Sequence, residues 1–454
     1  MKKLDNNNKK ILEYKTIIKE QKKKIKLEKK AIRRQKRENF KKSKFGKSFL
    51  GKILGKIFFA FSDKDAYSFS DIFVTTIISL LLGFFACFSL FSILSGGRNY
   101  FKISREFGKF YDVYNVLLSN YNGTLSKDQL IDEAINGMVS SVGDTYTNYS
   151  DIKDTEDFDQ MVSGTYEGIG CTIQKVEDGI KIVDIYDNSP AFKAGLKSND
   201  IIVSVDNLVS KDVSVDRLSE YIKTEAKGKI KMVVMRDKNE LTFTLERAKV
   251  EIPSVVTKTF TKNDKKIGYV GISIFSSVTA KQFESKLLEL EKTDISSLVI
   301  DVRDNNGGYL SSVTDIVSLL LPKGEIIYQV QKDKKKEITK DRTVAKRDYP
   351  IAVLTNNGSA SASEILAAAI KESYHGYVVG TKTFGKGTVQ EVKKLSDGSM
   401  IKYTTQNWLT PKGNWINGVG IDPTDEVKLD DKYYKEAIDE NDNQLQKALE
   451  LVSK

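Results

Sequence analysis

The sequence predicts a multi-domain α/β protein: an N-terminal helical region with one transmembrane helix, then a compact β-rich module, then a layered α/β core. Three observations predict it. Residues 72 to 95 run for 24 positions without a charge, residues 165 to 248 break into short β-rich runs, and from Ile267 onward strand-length apolar runs alternate with helical ones. With 454 residues, the chain has room for about three modules of roughly 150 residues each.

The first segment is basic. Residues 1 to 71 hold 23 Lys+Arg against 8 Asp+Glu, a net of +15, whereas residues 72 to 454 hold 49 against 53, a net of −4. In the first 45 residues Lys recurs around sparse apolar positions, Ile11, Leu12, Ile17, Ile18, Ile25, Leu27 and Ile32. A solvated basic tail and a segment drawn to anionic lipid both fit this pattern. Nucleic acid fits less well, because base-stacking aromatics are nearly absent there, and no nucleic-acid partner is expected.

A helix over residues 72 to 95 would be roughly 36 Å long, more than the ~30 Å of a bilayer core. The run begins seventy residues into the sequence and lacks a small-residue cleavage site, so it reads as an anchor rather than a cleaved signal. Lys41, Lys42, Lys44, Lys47, Lys52, Lys56 and Lys64 crowd one flank, and only Arg98, Lys102 and Arg105 follow closely. The positive-inside rule then gives a single-pass cell-membrane protein with a cytoplasmic N-terminus and an extracytoplasmic remainder.

Residues 98 to 160 read as helices, with Phe107, Phe110, Val113, Tyr114, Leu117 and Leu118, then Leu130, Ile131, Ala134 and Met138, at helical spacing and Gly123 between them. Strand-length runs follow at Gly170 to Val176, Ile180 to Ile185, Ile201 to Val205, Ile230 to Met235 and Leu241 to Leu245, with one helical stretch near Val215 to Thr224. Residues 255 to 430 alternate the two periods, Tyr269 to Ile274 and Leu298 to Val302 against Thr279 to Leu290 and Val313 to Leu320, as a layered α/β core does. Residues 431 to 454 read as a closing helical segment.

Within the β-rich module, Ser189-Pro190-Ala191-Phe192-Lys193-Ala194-Gly195-Leu196, Asn199-Asp200-Ile201-Ile202 and Val205-Asp206 resemble the signature of a PDZ domain. Glu167-Gly168-Ile169-Gly170 lies where such domains keep their carboxylate-binding loop. Small residues there, Gly168, Ile169 and Gly170, let backbone N–H groups converge on a terminal carboxylate, and the next strand edge accepts a peptide as an added strand.

Two segments of the core carry chemistry. Leu354-Thr355-Asn356-Asn357-Gly358-Ser359-Ala360-Ser361-Ala362-Ser363-Glu364 ends a strand in a small-residue turn and opens a helix. A helix N-terminus supplies N–H donors for an oxyanion, although helix capping alone would explain the serines. In Thr383-Phe384-Gly385-Lys386-Gly387-Thr388-Val389-Gln390 one Lys stands between two glycines. Burial disfavours its ammonium form, and only a neutral amine can take a serine proton.

In this order the segments resemble the C-terminal processing peptidases, or tail-specific proteases, a family of Ser/Lys serine proteases. The resemblance covers residues 102 to 430. Gly143-Asp144-Thr145-Tyr146-Thr147-Asn148-Tyr149 is similar to the family's pre-PDZ motif, with Thr145 where proline is usual. Asp301-Val302-Arg303-Asp304-Asn305-Asn306-Gly307-Gly308 resembles its glycine-rich oxyanion segment, and Trp408-Leu409-Thr410-Pro411-Lys412-Gly413 and Gly418-Val419-Gly420-Ile421-Asp422-Pro423 also fit, with Thr424 where Asp is often found. The resemblance implies Ser361 as nucleophile, Lys386 as general base, Gln390 as the residue orienting the lysine, and Gly307 and Ala362 N–H groups as the oxyanion hole. It implies a ClpP/crotonase-like protease core gated by a PDZ domain, and protein substrates with exposed C-termini. No cofactor is called for, a homo-oligomer stays open, and membrane lipid is the partner expected of the apolar helix.

His375, the single histidine, sits in the polar break Glu372-Ser373-Tyr374-His375-Gly376 and reads as an exposed loop residue. One His and two separated cysteines, Cys87 and Cys171, cannot supply the usual zinc ligands or a disulfide framework. A catalytically silent membrane-anchored PDZ scaffold and a regulatory protease dedicated to one signalling or cell-wall partner are the competing readings.

Overall fold

The structure, a computed structural model, describes residues 2–48, 52, 69–94, 100–225, 228–344 and 347–454. The chain divides into two compact units, Met1–Thr124 and Leu125–Lys454.

The first unit contains helices α1 (Lys2–Lys42), α2 (Lys44–Lys47), α3 (Phe69–Leu94) and α4 (Tyr100–Asn120). The expected membrane span coincides with α3, and its last residue, Ser95, lies outside the described residues, as do the flanking Lys56, Lys64 and Arg98. The expectation of a transmembrane helix is not supported: among the described residues no helix is long and apolar enough to cross a membrane.

The second unit opens with α5 (Lys127–Ser140), strand β1 (Asn148–Ser150) and α6 (Ile152–Ser163). Asp151 caps α6 by accepting the Asp154 N–H at 2.8 Å. Strand β2 (Thr165–Gly168) leads into a module of β3 (Cys171–Val176), β4 (Gly179–Ile185), α7 (Pro190–Ala194), β5 (Ile201–Val205), β6 (Leu208–Val209), α8 (Val215–Glu220), β7 (Lys229–Arg236) and β8 (Asn239–Glu246). Its sheet runs β3-β4-β5-β7-β8, with β6 on β5, and all its pairings are antiparallel. The Ser-Pro…Gly motif is a helix in outline: Ser189 accepts the Phe192 N–H at 3.1 Å, Pro190 takes the first turn, and Gly195 closes it at φ +86°. Strand β9 (Ala248–Glu251) returns to pair with β2.

The core consists of β10 (Val255–Lys262), β11 (Lys265–Ile272), α9 (Thr279–Glu291), β12 (Ser297–Asp301), α10 (Leu310–Ser318), β13 (Ile326–Lys332), β14 (Lys335–Lys340), β15 (Ile351–Thr355), α11 (Ala362–Ala369), β16 (Tyr377–Gly380), β17 (Thr388–Lys394), β18 (Met400–Leu409), β19 (Asp425–Glu426), α12 (Asp431–Lys435) and α13 (Asn443–Val452). The central sheet, β10-β11-β12-β15-β16-β19, is parallel from β11 to β19. Every residue of β12 and β15 is buried, as a parallel sheet covered on both faces requires. Leu298, Ile300, Ile351 and Val353 pack with α9, α10 and α11 on one face, while Val299, Ala352 and Leu354 meet Leu445, Ala448, Leu449 and Val452 of α13 on the other. A second sheet, β1-β18-β13-β14 with β17 on β18, brings residues 148–150 and 388–394 to the same strand.

Candidate active site

The carboxyl ends of β12, β15 and β16 lie side by side in the parallel sheet, the usual ligand position in such sheets. The loops leaving them carry Gly307, Ser361 and Lys386. All three residues line one cavity of about 630 Å³, together with Gln390, Ala362 and Lys402. Phe158 and Met161 from α6, Ile365 from α11, Val392 from β17 and Trp408 from β18 supply apolar walls.

Hydrogen bonding separates the three candidate serines. Ser359 is fully buried, donates to the Val302 carbonyl at 2.7 Å and accepts the Asn356 N–H at 3.0 Å. Ser363 is fully buried and donates to the Asn305 carbonyl at 2.7 Å. Both are structural. Ser361 lines the cavity, half-buried, at φ +55° and ψ −111°, a sparsely populated positive-φ conformation that costs a non-glycine residue of order 1–3 kcal/mol and tends to occur at functional sites.

The strained turn is held by a carboxylate whose role sequence reasoning missed. Glu364, fully buried, accepts the Ser361 N–H at 2.8 Å and the Lys386 N–H at 2.8 Å on Oε2. Its Oε1 accepts the Gly385 N–H at 2.7 Å and the Thr383 hydroxyl at 2.6 Å. One side chain thus ties the serine turn to the lysine loop. Its position three residues into the helix start, the N3 place of a capping box, was the available signal.

Both glycines around Lys386 have a steric reason. A Cβ on Gly387 would lie 2.4 Å from the Asn417 nitrogen, and one on Gly385, at φ +92°, would lie 3.0 Å from that of Gly420. The Lys386 carbonyl accepts the Trp408 indole N–H at 2.8 Å, so the lysine backbone is fixed on both sides. Its Nζ stands 4.8 Å from the centroid of the Tyr146 ring. Burial first, and then the neighbouring Lys402 charge, pull the Lys386 ammonium below the usual lysine range, against an opposing effect from Glu364. Burial likewise lowers Lys402, whose Nζ lies 5.7 Å from the Phe158 ring centroid.

Gln390 lines the cavity, and its amide donates to Thr388 Oγ1 at 2.7 Å and to Thr404 Oγ1 at 3.3 Å. It is not bonded to the lysine here. Gly307 approaches the serine so closely that a Cβ there would lie 2.9 Å from Ser361 Cβ. Its N–H donates to Asn305 Oδ1 at 2.9 Å, whereas the Ala362 N–H, at the first position of α11, has no acceptor among the described residues.

A second cavity, of about 320 Å³, lies between β3 and α8 and includes Gly168, Ile169, Cys171, Ile173, Val215 and Ile222. Strand β3 is a sheet edge, so a peptide strand can add there. Gly170, at φ +80°, is required because a Cβ would lie 2.3 Å from Ser189 Cβ. Burial pushes the Cys171 thiol up to about 12, which leaves it unreactive. His375 is exposed, at φ +63° just after a helical turn, and does not line the cavity of Ser361 and Lys386.

Residues 266–427 match Peptidase family S41, residues 167–246 the PDZ domain, and residues 92–155 the N-terminal domain of the activating protease CtpB. Over 332 residues the chain is 39% identical to carboxy-terminal processing protease CtpB of Bacillus subtilis (strain 168), covering 72% of this chain and 68% of that one. It is 35% identical over 328 residues to carboxy-terminal processing protease CtpA of the same organism, covering 72% and 70%. A probable CtpA-like serine protease of Staphylococcus aureus (strain bovine RF122 / ET3-1) is 33% identical over 330 residues, covering 72% and 65%. Among solved structures, the photosystem II D1 C-terminal processing protease is similar at 26% identity and a TM-score of 0.43, covering 73% of this chain and 87% of that one.

Proposed function

The chain belongs to the carboxy-terminal processing serine proteases of peptidase family S41 and carries a PDZ domain; from that premise we propose that it is a membrane-anchored serine endopeptidase cleaving extracytoplasmic or membrane proteins by their C-terminal tails. The observation that carries the reading is the buried Glu364 carboxylate, which binds the Ser361 turn and the Lys386 loop into one cavity.

In the proposed reaction the neutral Lys386 amine accepts the Ser361 proton, and Oγ attacks the scissile carbonyl. The Ala362 N–H receives the oxyanion, joined by that of Gly307 once it leaves Asn305. Lys386 returns its proton to the leaving amine, and water then hydrolyses the acyl-enzyme by the same route in reverse. Lys386 must leave the Tyr146 ring for this, and Gln390 must turn from Thr388 to hold the amine. Gly168, Ile169 and Gly170 would take the substrate's terminal carboxylate.

The sequence supports the anchor, since 24 uncharged residues run from 72 to 95, and among them Leu80, Phe84 and Phe85 are exposed. The charge asymmetry of its flanks favours a cytoplasmic N-terminus. A silent scaffold draws support from one feature, the lysine resting on Tyr146 rather than on the serine. Full-length protein in detergent, given unfolded casein, separates the two readings. Hydrolysis that disappears in Ser361→Ala supports the protease; equal activity in both proteins, or none in either, refutes it.

A further inference from the structure

Helix α1 is 41 residues long, about 60 Å, and its described side chains are almost all exposed. Ile11, Ile18, Ile25 and Ile32 recur every seven residues and are 52%, 49%, 51% and 55% exposed. Positions seven apart drift by only about 20° around a helix, so the four make one narrow aliphatic stripe, with Tyr14 beside it.

The charges are sorted around that stripe. Each isoleucine is followed four residues later by a lysine, Lys15, Lys22, Lys29 and Lys36, and residues four apart are neighbours on one face. Lys10, Ile17 and Lys24 line the other flank. Glu13 and Glu20 fall on the opposite face, Glu38 continues the flank of Lys10 and Lys24, and Glu28 stands beside the stripe at the position equivalent to Tyr14. An aliphatic strip bordered by long basic side chains, with Glu28 the one acid against it, matches a helix lying in a lipid interface, where lysine stems run along apolar surface while their heads reach phosphate.

A second copy of the helix is the rival occupant. In a parallel coiled coil with isoleucine at the a positions, Lys15 and Lys29 would face Lys10 and Lys24 of the other strand across the e and g positions. Like charges oppose that pairing. An anionic surface complements the same charges.

We propose that α1 lies flat on an anionic membrane surface, with Ile11, Ile18, Ile25 and Ile32 facing the lipid and Lys15, Lys22, Lys29 and Lys36 engaging its phosphate groups. This deepens the membrane-anchored reading, on which it rests for its location. The face is tested in the full chain with tryptophan in place of Ile18 or of Glu20, after subtracting the signal of Trp408 and Trp415. The probes are vesicles of brominated phosphatidylcholine, alone or mixed with phosphatidylglycerol.

Ile18→Trp is expected to be quenched several-fold more than Glu20→Trp, only on the mixed vesicles, and the difference to fade with added salt. Equal quenching of the two positions, or none, overturns the proposal in favour of a solvated tail. Disulfide-linked dimers of Ile18→Cys without quenching of Ile18→Trp overturn it in favour of a coiled coil. An Ile18→Trp signal that responds to RNA but not to vesicles also overturns it. Flotation reports the anchor separately: a protein that floats with both vesicle types but shows no face-selective quenching keeps its anchor and loses this inference. One that floats only with the mixed vesicles does the reverse.

Discussion

Replacing Glu364 by Gln removes one acceptor oxygen from a site where four donors converge on a fully buried carboxylate. The glutamine carbonyl can keep two of them. Its amide group then faces the other two as a donor against donors. Hydrogen bonds to a charged group contribute about 1.5–3 kcal/mol each, so losing two predicts about 3–6 kcal/mol of destabilisation. The gentler orientation turns the amide toward Thr383, whose hydroxyl can accept, and brings the loss near the lower figure. A domain with a total stability of ~5–15 kcal/mol stays folded at room temperature, with a melting temperature lower by on the order of 10 °C. Scanning fluorimetry reads the melting shift. Casein hydrolysis well below the transition is expected to show kcat falling while KM stays nearly constant, because the change loosens Ser361 and Lys386 without touching the cavity walls. A variant that matches wild type in both melting temperature and kcat would refute the argument that Glu364 couples the two loops.

Lys386→Arg is expected to abolish hydrolysis without a change in circular dichroism, since arginine stays protonated at working pH and cannot accept a proton; retained turnover would assign the base elsewhere. Burial and Lys402 hold the Lys386 ammonium below the usual lysine range, so kcat/KM should rise with pH as the amine loses its proton. Lys402→Gln removes a repelling charge, raises that apparent pKa and moves the rising limb to higher pH; a limb that stays in place would show that Lys402 does not tune the base. A substrate peptide with an amidated C-terminus should be cut more slowly than its free-acid twin, because charge-assisted bonds at Gly168 to Gly170 are lost; equal cutting would remove the tail-specific reading.

Linear motifs made much of this site legible. The strand-turn-helix around Ser361 and the Gly-Lys-Gly loop are local, and their glycines and small residues have local steric causes. The resemblance singled out Ser361, but what holds the other two serines was not legible, because Ser359 and Ser363 donate to the carbonyls of Val302 and Asn305, more than fifty residues away in sequence. Tyr146 and Lys402 escaped notice for the same reason: β18 pairs with β1 and β17, and no periodicity announces that register. The hydrogen bond from Gly307 N–H to Asn305 Oδ1 is equally invisible in a motif that shows only where glycines stand. At α3 the run of uncharged residues was plain, whereas among the described residues no helix is long and apolar enough to cross a membrane.

The Tyr146 ring beneath Lys386 bears on thermochemistry. The face of an aromatic ring attracts a cation, so it favours the form of the lysine that cannot act as a base. In the proposed mechanism, moving the side chain from ring to serine as the neutral amine releases a proton to the solvent. The heat measured on adding a peptide that drives this movement would then carry the ionisation enthalpy of whatever buffer receives that proton. Titrations in phosphate and in Tris would give different apparent enthalpies for one binding event, and the slope between them would count the protons released.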